Sequence, residues 1–230
     1  MHSSLRSIIR IAAFAAAVPL GLSAQTPAAK FVDSARVEID RATGAAYDAP
    51  RLERAVILLD RALVAFPNDP YLLHYRGYAI YRQALAMTIG GKIKDTGTLT
   101  AKALSDLERS SDKLPWPESY SLMAALAGFQ IGADPSLGRE LGMKIGVLSA
   151  RAMELGPENP RVLLLTAKGL MNTPAEYGGG KEPAKAALDR AVTAFANDHP
   201  APLAPAWGKA DAIGFQQYLN ASEAKKPGTP

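Results

Sequence analysis

The chain contains no cysteine. That excludes disulfides, thiolate metal centres, a cysteine nucleophile and a lipid-anchoring cysteine, so packing alone must hold the fold together. Histidine is almost as scarce, occurring only at positions 2, 74 and 199. No two of these stand three or four residues apart, the spacing that puts a pair of metal ligands on one helix face. No Gly-x-Ser-x-Gly elbow is present. Gly180-Lys181 is followed by Glu182, where a phosphate-binding loop would need Ser or Thr. No Lys/Arg run is dense enough for nucleic acid. No stretch alternates apolar and polar residues long enough to make a strand. The sequence therefore offers no catalytic, metal or cofactor constellation, and the expected function is binding rather than chemistry.

The N-terminus reads as a targeting segment. Arg6 and Arg10 precede a short apolar stretch from Ile11 to Leu22, and Leu22-Ser23-Ala24 offers a small-residue cleavage site. The stretch is too short and Ala-rich for a stable membrane span. The expected organisation is a leader over 1–24, a helical domain over 25–222 and a flexible tail over 223–230, in a protein exported to the bacterial periplasm. The formal charge of +4 falls by two on loss of the leader, so the basic balance says little about partners.

What the chain does have is internal repetition. Leu59-Asp60-Arg61-Ala62-Leu63-Val64-Ala65-Phe66-Pro67-Asn68-Asp69 returns as Leu188-Asp189-Arg190-Ala191-Val192-Thr193-Ala194-Phe195-Ala196-Asn197-Asp198. Two weaker copies end at Leu114-Pro115 and Gly156-Pro157. The four copies share a spacing: Ala55, Leu59, Ala62; Ala103, Leu107, Ser110; Ile145, Ser149, Ala152; Ala184, Leu188, Ala191. Small residues let two helices approach, the large residue fills the gap to the next pair, and a following proline turns the chain. An arginine also recurs, at 61, 109, 151 and 190. Its repetition points to a structural role, as an inter-helix salt bridge or a stem covering apolar surface.

Apolar residues recur at three and four throughout, predicting nine helices with short breaks. The ninth is expected over about 202–219. The class is all-α: four helix pairs plus a capping helix.

This spacing resembles the tetratricopeptide repeat (TPR) family. The partner helices agree, with Leu73, Gly77 and Ile80 in a large-small-large pattern, and looser matches at Ser121, Ala125 and Gly128, at Leu163, Ala167 and Leu170, and at Ile39, Thr43 and Ala46. The resemblance covers roughly residues 31–198 and implies a right-handed solenoid of helical hairpins. Extra residues around 90–98, 132–137 and 173–180 depart from the 34-residue period and imply irregular stacking. The Pro and Gly-Gly before an Ala-rich helix at 174–187 also resembles the T-component proteins of TRAP-type transporters.

In TPR proteins the first helix of each pair lines a concave groove. Mapped here, that implies an inner face of Tyr71, His74, Tyr75, Tyr78, Tyr81 and Arg82 on the third helix. Phe129 follows on the fifth, and Lys168 and Asn172 on the seventh. Four of the eight tyrosines fall on the third helix. Tyrosine combines contact area with a polar tip, and arginine suits a carboxylate. Tyr177, in the Gly-rich insertion, is expected to dock against a neighbouring helix. The implied function is a scaffold binding a protein or peptide in a tyrosine-lined groove. The alternative is a small-ligand or transporter-accessory protein for a hydrophobic or acidic compound, its groove closed into a pocket. Ordinary core packing of the same tyrosines stands beside both, and wins if the last helix folds back over the groove.

Overall fold

The computed structural model describes residues 28–43 and 47–224. The expected leader, Ala46 of the first apolar stripe and residues 225–230 lie outside the described residues. Nine α-helices are described: α1 (Ala29–Ala42), α2 (Ala49–Ala65), α3 (Pro70–Ile89), α4 (Gly97–Ser111), α5 (Pro117–Ala133), α6 (Gly138–Leu155), α7 (Pro160–Asn172), α8 (Lys181–Phe195) and α9 (Lys209–Ala224). The described residues contain no strand, as expected for an all-α chain. The three insertions each contribute a short 3-10 turn, at Ile93–Thr96, Pro135–Leu137 and Ala175–Tyr177.

Local chemistry sets the helix starts. Asp48, Asp69 and Asn159 each accept hydrogen bonds from first-turn amides, and each of the three helices has proline in its first two positions. The pairs α1/α2, α3/α4, α5/α6 and α7/α8 pack together. The first helices also stack, α1 on α3, α3 on α5 and α5 on α7. This is a solenoid-like arrangement.

The repeated spacing is the packing code. Ala55, Leu59, Ala103, Leu107, Ser110, Ala184, Leu188 and Ala191 are fully buried. Gly77 lets α3 and α4 touch: a Cβ there would lie 2.6 Å from Leu107 Cγ. Two of the four recurring arginines bridge to an inter-helix turn, while Arg151 pairs with Glu154 of its own helix. Arg109 donates to the carbonyl of Pro67 and to Asn68 Oδ1. Arg190 donates to the carbonyl of Pro157 and to Glu158.

The stacking weakens at one seam. α2 packs on α3 and α4 on α5, but α6 barely meets α7. The α6 copy of the repeat is the weakest, and of its three positions only Ala152 is fully buried. Two apolar clusters result. One spans α1 to α5 and takes in Leu165 of α7, and the other joins α7, α8 and α9.

The last helix begins at Lys209, not near 202. Pro200, Pro202 and Pro205 interrupt the helical ladder, and Gly208 adopts a left-handed φ of 103°. Residues 199–208 instead form an irregular strap. Its Leu203 and Trp207 belong to the first apolar cluster although the chain has already passed through the second. Tyr177 is 78% exposed and does not dock on a neighbouring helix. Its turn satisfies its own amides, Gly178 N–H to Ala175 and Gly179 N–H to Pro174, and needs no neighbour.

Candidate functional site

The inner face is built on α3. Its twenty residues place Tyr75, Tyr78 and Arg82 on successive turns, with Tyr81 beside them. The strap crosses this face. Tyr75 Oη donates to the carbonyls of Leu203, at 3.1 Å, and Ala204, at 3.0 Å. The Trp207 indole stacks on the Tyr78 ring at 4.5 Å between centroids and 13° between planes. Tyr81 continues the aromatic row, 6.4 Å from Tyr78 on one side and 5.9 Å from Phe129 of α5 on the other.

Charge is concentrated at one end. Arg82 is 1% exposed, and both terminal nitrogens of its guanidinium bond the Asp211 carboxylate. Lys168 Nζ of α7 lies 3.8 Å from the same carboxylate. Asp211 sits in the first turn of α9, where the helix dipole also favours an anion. Burial pushes its carboxyl up, but Lys168 and Arg82 more than offset this and hold it below the usual aspartate range. The Arg82 guanidinium also lies over the Tyr47 ring, 5.2 Å from its centroid.

A second buried arginine anchors the strap's base. Arg161 of α7 makes a two-point pair with Asp198, with Glu118 at 4.0 Å, and its guanidinium lies 6.0 Å from the Trp207 ring. Three donors of this region find no acceptor: Trp207 Nε1, Arg82 Nε and Arg161 Nε, all buried, have no hydrogen-bond partner among the described residues.

The candidate residues divide by place. Tyr75, Tyr78, Tyr81, Arg82, Phe129 and Lys168 come together on the inner face, but the C-terminal segment folds back over it and buries the three tyrosines and Arg82, so in this structure the condition set for ordinary core packing is met and the groove is not open. Tyr71 and His74 pack against the start of α5, each edge-on to Trp116 at 5.5 and 4.9 Å. His74 Nδ1 shares a 2.9 Å hydrogen bond with Ser119 Oγ, and complete burial pushes its pKa down to about 3. It is a neutral core residue. Asn172 is exposed and bonds the carbonyl of Lys168, while Tyr177 stands out in solvent.

Tyr47, Trp207 and Asp211 also build the face and are not among the sequence-derived candidates. The proline spacing at 200, 202 and 205 marks a segment that cannot be helical. Nothing local indicates that it lies over α3.

An open concavity of about 680 Å³ lies at the strap's base, lined by Glu158, Arg190, Asp198 and His199 among others. Its charges are already paired, Arg190 with Glu158 and Asp198 with Arg161. No cluster of three or more His, Asp or Glu that could hold a metal occurs among the described residues. None of their helices is long and apolar enough to cross a membrane.

No family model matches the chain, and no curated protein does. Among solved structures, the HusA haemophore from Porphyromonas gingivalis is similar to it, with a TM-score of 0.70 at 20% sequence identity. The match covers 90% of this chain and 99% of that one. At this identity the likeness establishes a shared fold.

Proposed function

We propose that this chain is an exported, non-enzymatic helical solenoid of the TPR type that binds a small, flat, apolar acid on the inner face of α3. The observation that carries this reading is the row Tyr78, Tyr81 and Phe129, on which one flat ring (Trp207) already stacks, ending in the cations Arg82 and Lys168. Stacked rings accept another flat ring, and paired cations accept its acid group. The likeness to a haemophore supports haem or a related porphyrin as the ligand, since a porphyrin combines an extended ring with carboxylates. Export is supported by the leader-like first 24 residues.

Recognition in this reading rests on the ring and its carboxylates. His74 contributes no iron ligand, because it is fully buried against Trp116 and Ser119, away from the inner face.

The test is a titration of the full chain with haem and with metal-free protoporphyrin IX. The expected result is saturable one-to-one binding of both, weakened at least tenfold by Tyr81→Ala combined with Lys168→Ala. Non-saturable binding, or equal binding by that variant, contradicts it.

A second reading, a scaffold for a protein or peptide, is favoured by one observation. The strap's backbone carbonyls at Leu203 and Ala204 accept hydrogen bonds from Tyr75, as an extended peptide's would. Saturable binding of a Pro- and Trp-containing peptide, with none of porphyrin, would establish it instead.

A further inference from the structure

The inner face already holds an occupant, and that occupant has the chemistry of a ligand. Trp207 supplies a flat ring on Tyr78, and Asp211 supplies a carboxylate to Arg82 and Lys168. Both come from the chain's C-terminal part, with 129 residues separating Arg82 from Asp211.

Three observations set this occupant apart from ordinary core. Leu203 is buried, yet its φ is 64°, a left-handed conformation that costs a branched side chain energy. The indole Nε1 of Trp207 is buried without an acceptor, as are Nε of Arg82 and Nε of Arg161 beneath the strap, so the polar groups around the crossing are incompletely satisfied. The strap also contributes no helix or sheet ladder where it crosses the face, and Tyr75 alone grips its backbone there through two carbonyls. The segment is thus strained at Leu203, incompletely satisfied at Trp207, and held by side-chain packing rather than by a backbone ladder.

Its two ends are firmer. Asp198 is paired with the buried Arg161. α9 is fixed to α7 and α8 through Ala212 and Leu219 in the second apolar cluster, and by Gln216 Nε2 donating to Asp189. The strap can leave the face while both ends stay in place, and Asp211, one residue before the buried Ala212, gives up Arg82 and Lys168 by turning its own side chain rather than by release of α9.

We infer that residues 203–211 are a built-in surrogate ligand, and that the true ligand is a carboxylate-bearing ring compound which displaces them. Its ring takes the place of Trp207 on Tyr78, and its carboxylate takes the place of Asp211 on Arg82 and Lys168. This rests on the inner-face reading above and adds to it a ligand class and an order of events: strap off, ligand on. Asp40 of α1 also lies within electrostatic reach of Arg82, so the exchange keeps the face near its present charge only if the incoming group is anionic.

The test is amide hydrogen exchange on the full chain, with and without protoporphyrin IX. The amides of Leu203, Ala204, Ala206 and Trp207 should exchange at least tenfold faster with ligand bound, while those of α3 stay as slow as before. In parallel, Asp211→Asn should bind protoporphyrin IX at least tenfold more tightly than the natural chain, because the surrogate carboxylate is gone. If that variant does not fold, the exchange measurement on the natural chain decides alone. Saturable binding with strap amides unchanged or slowed overturns the displacement and leaves the inner-face reading standing. No binding by either protein overturns both.

Discussion

His74 shows how far a single residue's role depends on its neighbours. In the sequence it stands among tyrosines and reads as part of a binding face. In the fold it is enclosed by Tyr75, Trp116 and Ser119. The folded state holds it neutral down to about pH 3, whereas in the unfolded chain it takes up a proton near pH 6.5. Protonation therefore favours unfolding, and this contribution to stability is complete above pH 6.5 and declines as pH falls towards 3. Between pH 8 and pH 5 the loss is about 2 kcal/mol. Urea unfolding at the two pH values should show it, and His74→Phe should remove most of the difference. Tyr75 belongs to the same scale. Tyr75→Phe removes both hydrogen bonds to the strap and should lower stability by about 1 kcal/mol, measured by the same method, with a larger rise in exchange at Leu203 and Ala204 than in the helices. Tyr75, Tyr78, Tyr81 and Arg82 were legible as a group because helical spacing puts residues three and four apart on one side, and Phe129 and Lys168 joined them only through the TPR resemblance. Their partners Trp207 and Asp211 were not legible, since they stand 129 residues from Tyr78 and Arg82 and no periodicity connects such distant segments.

At the scale of elements, the repeat was legible because it is a packing rule written in residue size. Ala62, Ser110 and Ala191 are small where helices meet, and Leu59, Leu107 and Leu188 are buried one turn earlier. Gly77→Ala tests the rule at its closest approach. The new Cβ would meet Leu107 Cγ at 2.6 Å, and the overpacking should cost about 1–3 kcal/mol in thermal or urea unfolding. Combining it with Leu107→Ala should cost clearly less than the sum of the two single changes, because the shortened side chain vacates the space that the new methyl needs. The caps are independent of this contact: Asp69→Ala should cost about 1 kcal/mol by freeing the first-turn amides of α3. The ninth helix was expected seven residues too early. Leu203 and Trp207 continue an apolar spacing, but Pro202 and Pro205 cannot supply ladder amides, and backbone chemistry overrode the side-chain pattern.

The described residues form two apolar units, joined where α5 stacks on α7 and loose between α6 and α7, and the strap crosses from the second unit onto the first. The fold class was legible from periodicity, and the seam was foreshadowed by the poor α6 copy of the repeat. The closing of the groove was not, because it depends on where an irregular segment comes to rest. If the strap ties the units together, Trp207→Ala should make unfolding less cooperative. The expected sign is a lower urea m-value at similar helix content in the native baseline, measured by circular dichroism. A ligand that takes the strap's place should restore stability by mass action, as a rise in melting temperature that grows with free ligand concentration.

The most direct measurement uses the chain's two tryptophans, which give two indole N–H signals in a nitrogen–proton correlation spectrum. Trp207 lies on the inner face and Trp116 packs against Tyr71 and His74. On titration with protoporphyrin IX the Trp207 indole signal should shift and saturate together with the amides of Tyr78, Tyr81 and Lys168, while Trp116 stays in place. A saturating shift confined to the exposed α6 residues Met143 and Val147, or to the polar concavity by His199, with Trp207 unmoved, would contradict the account.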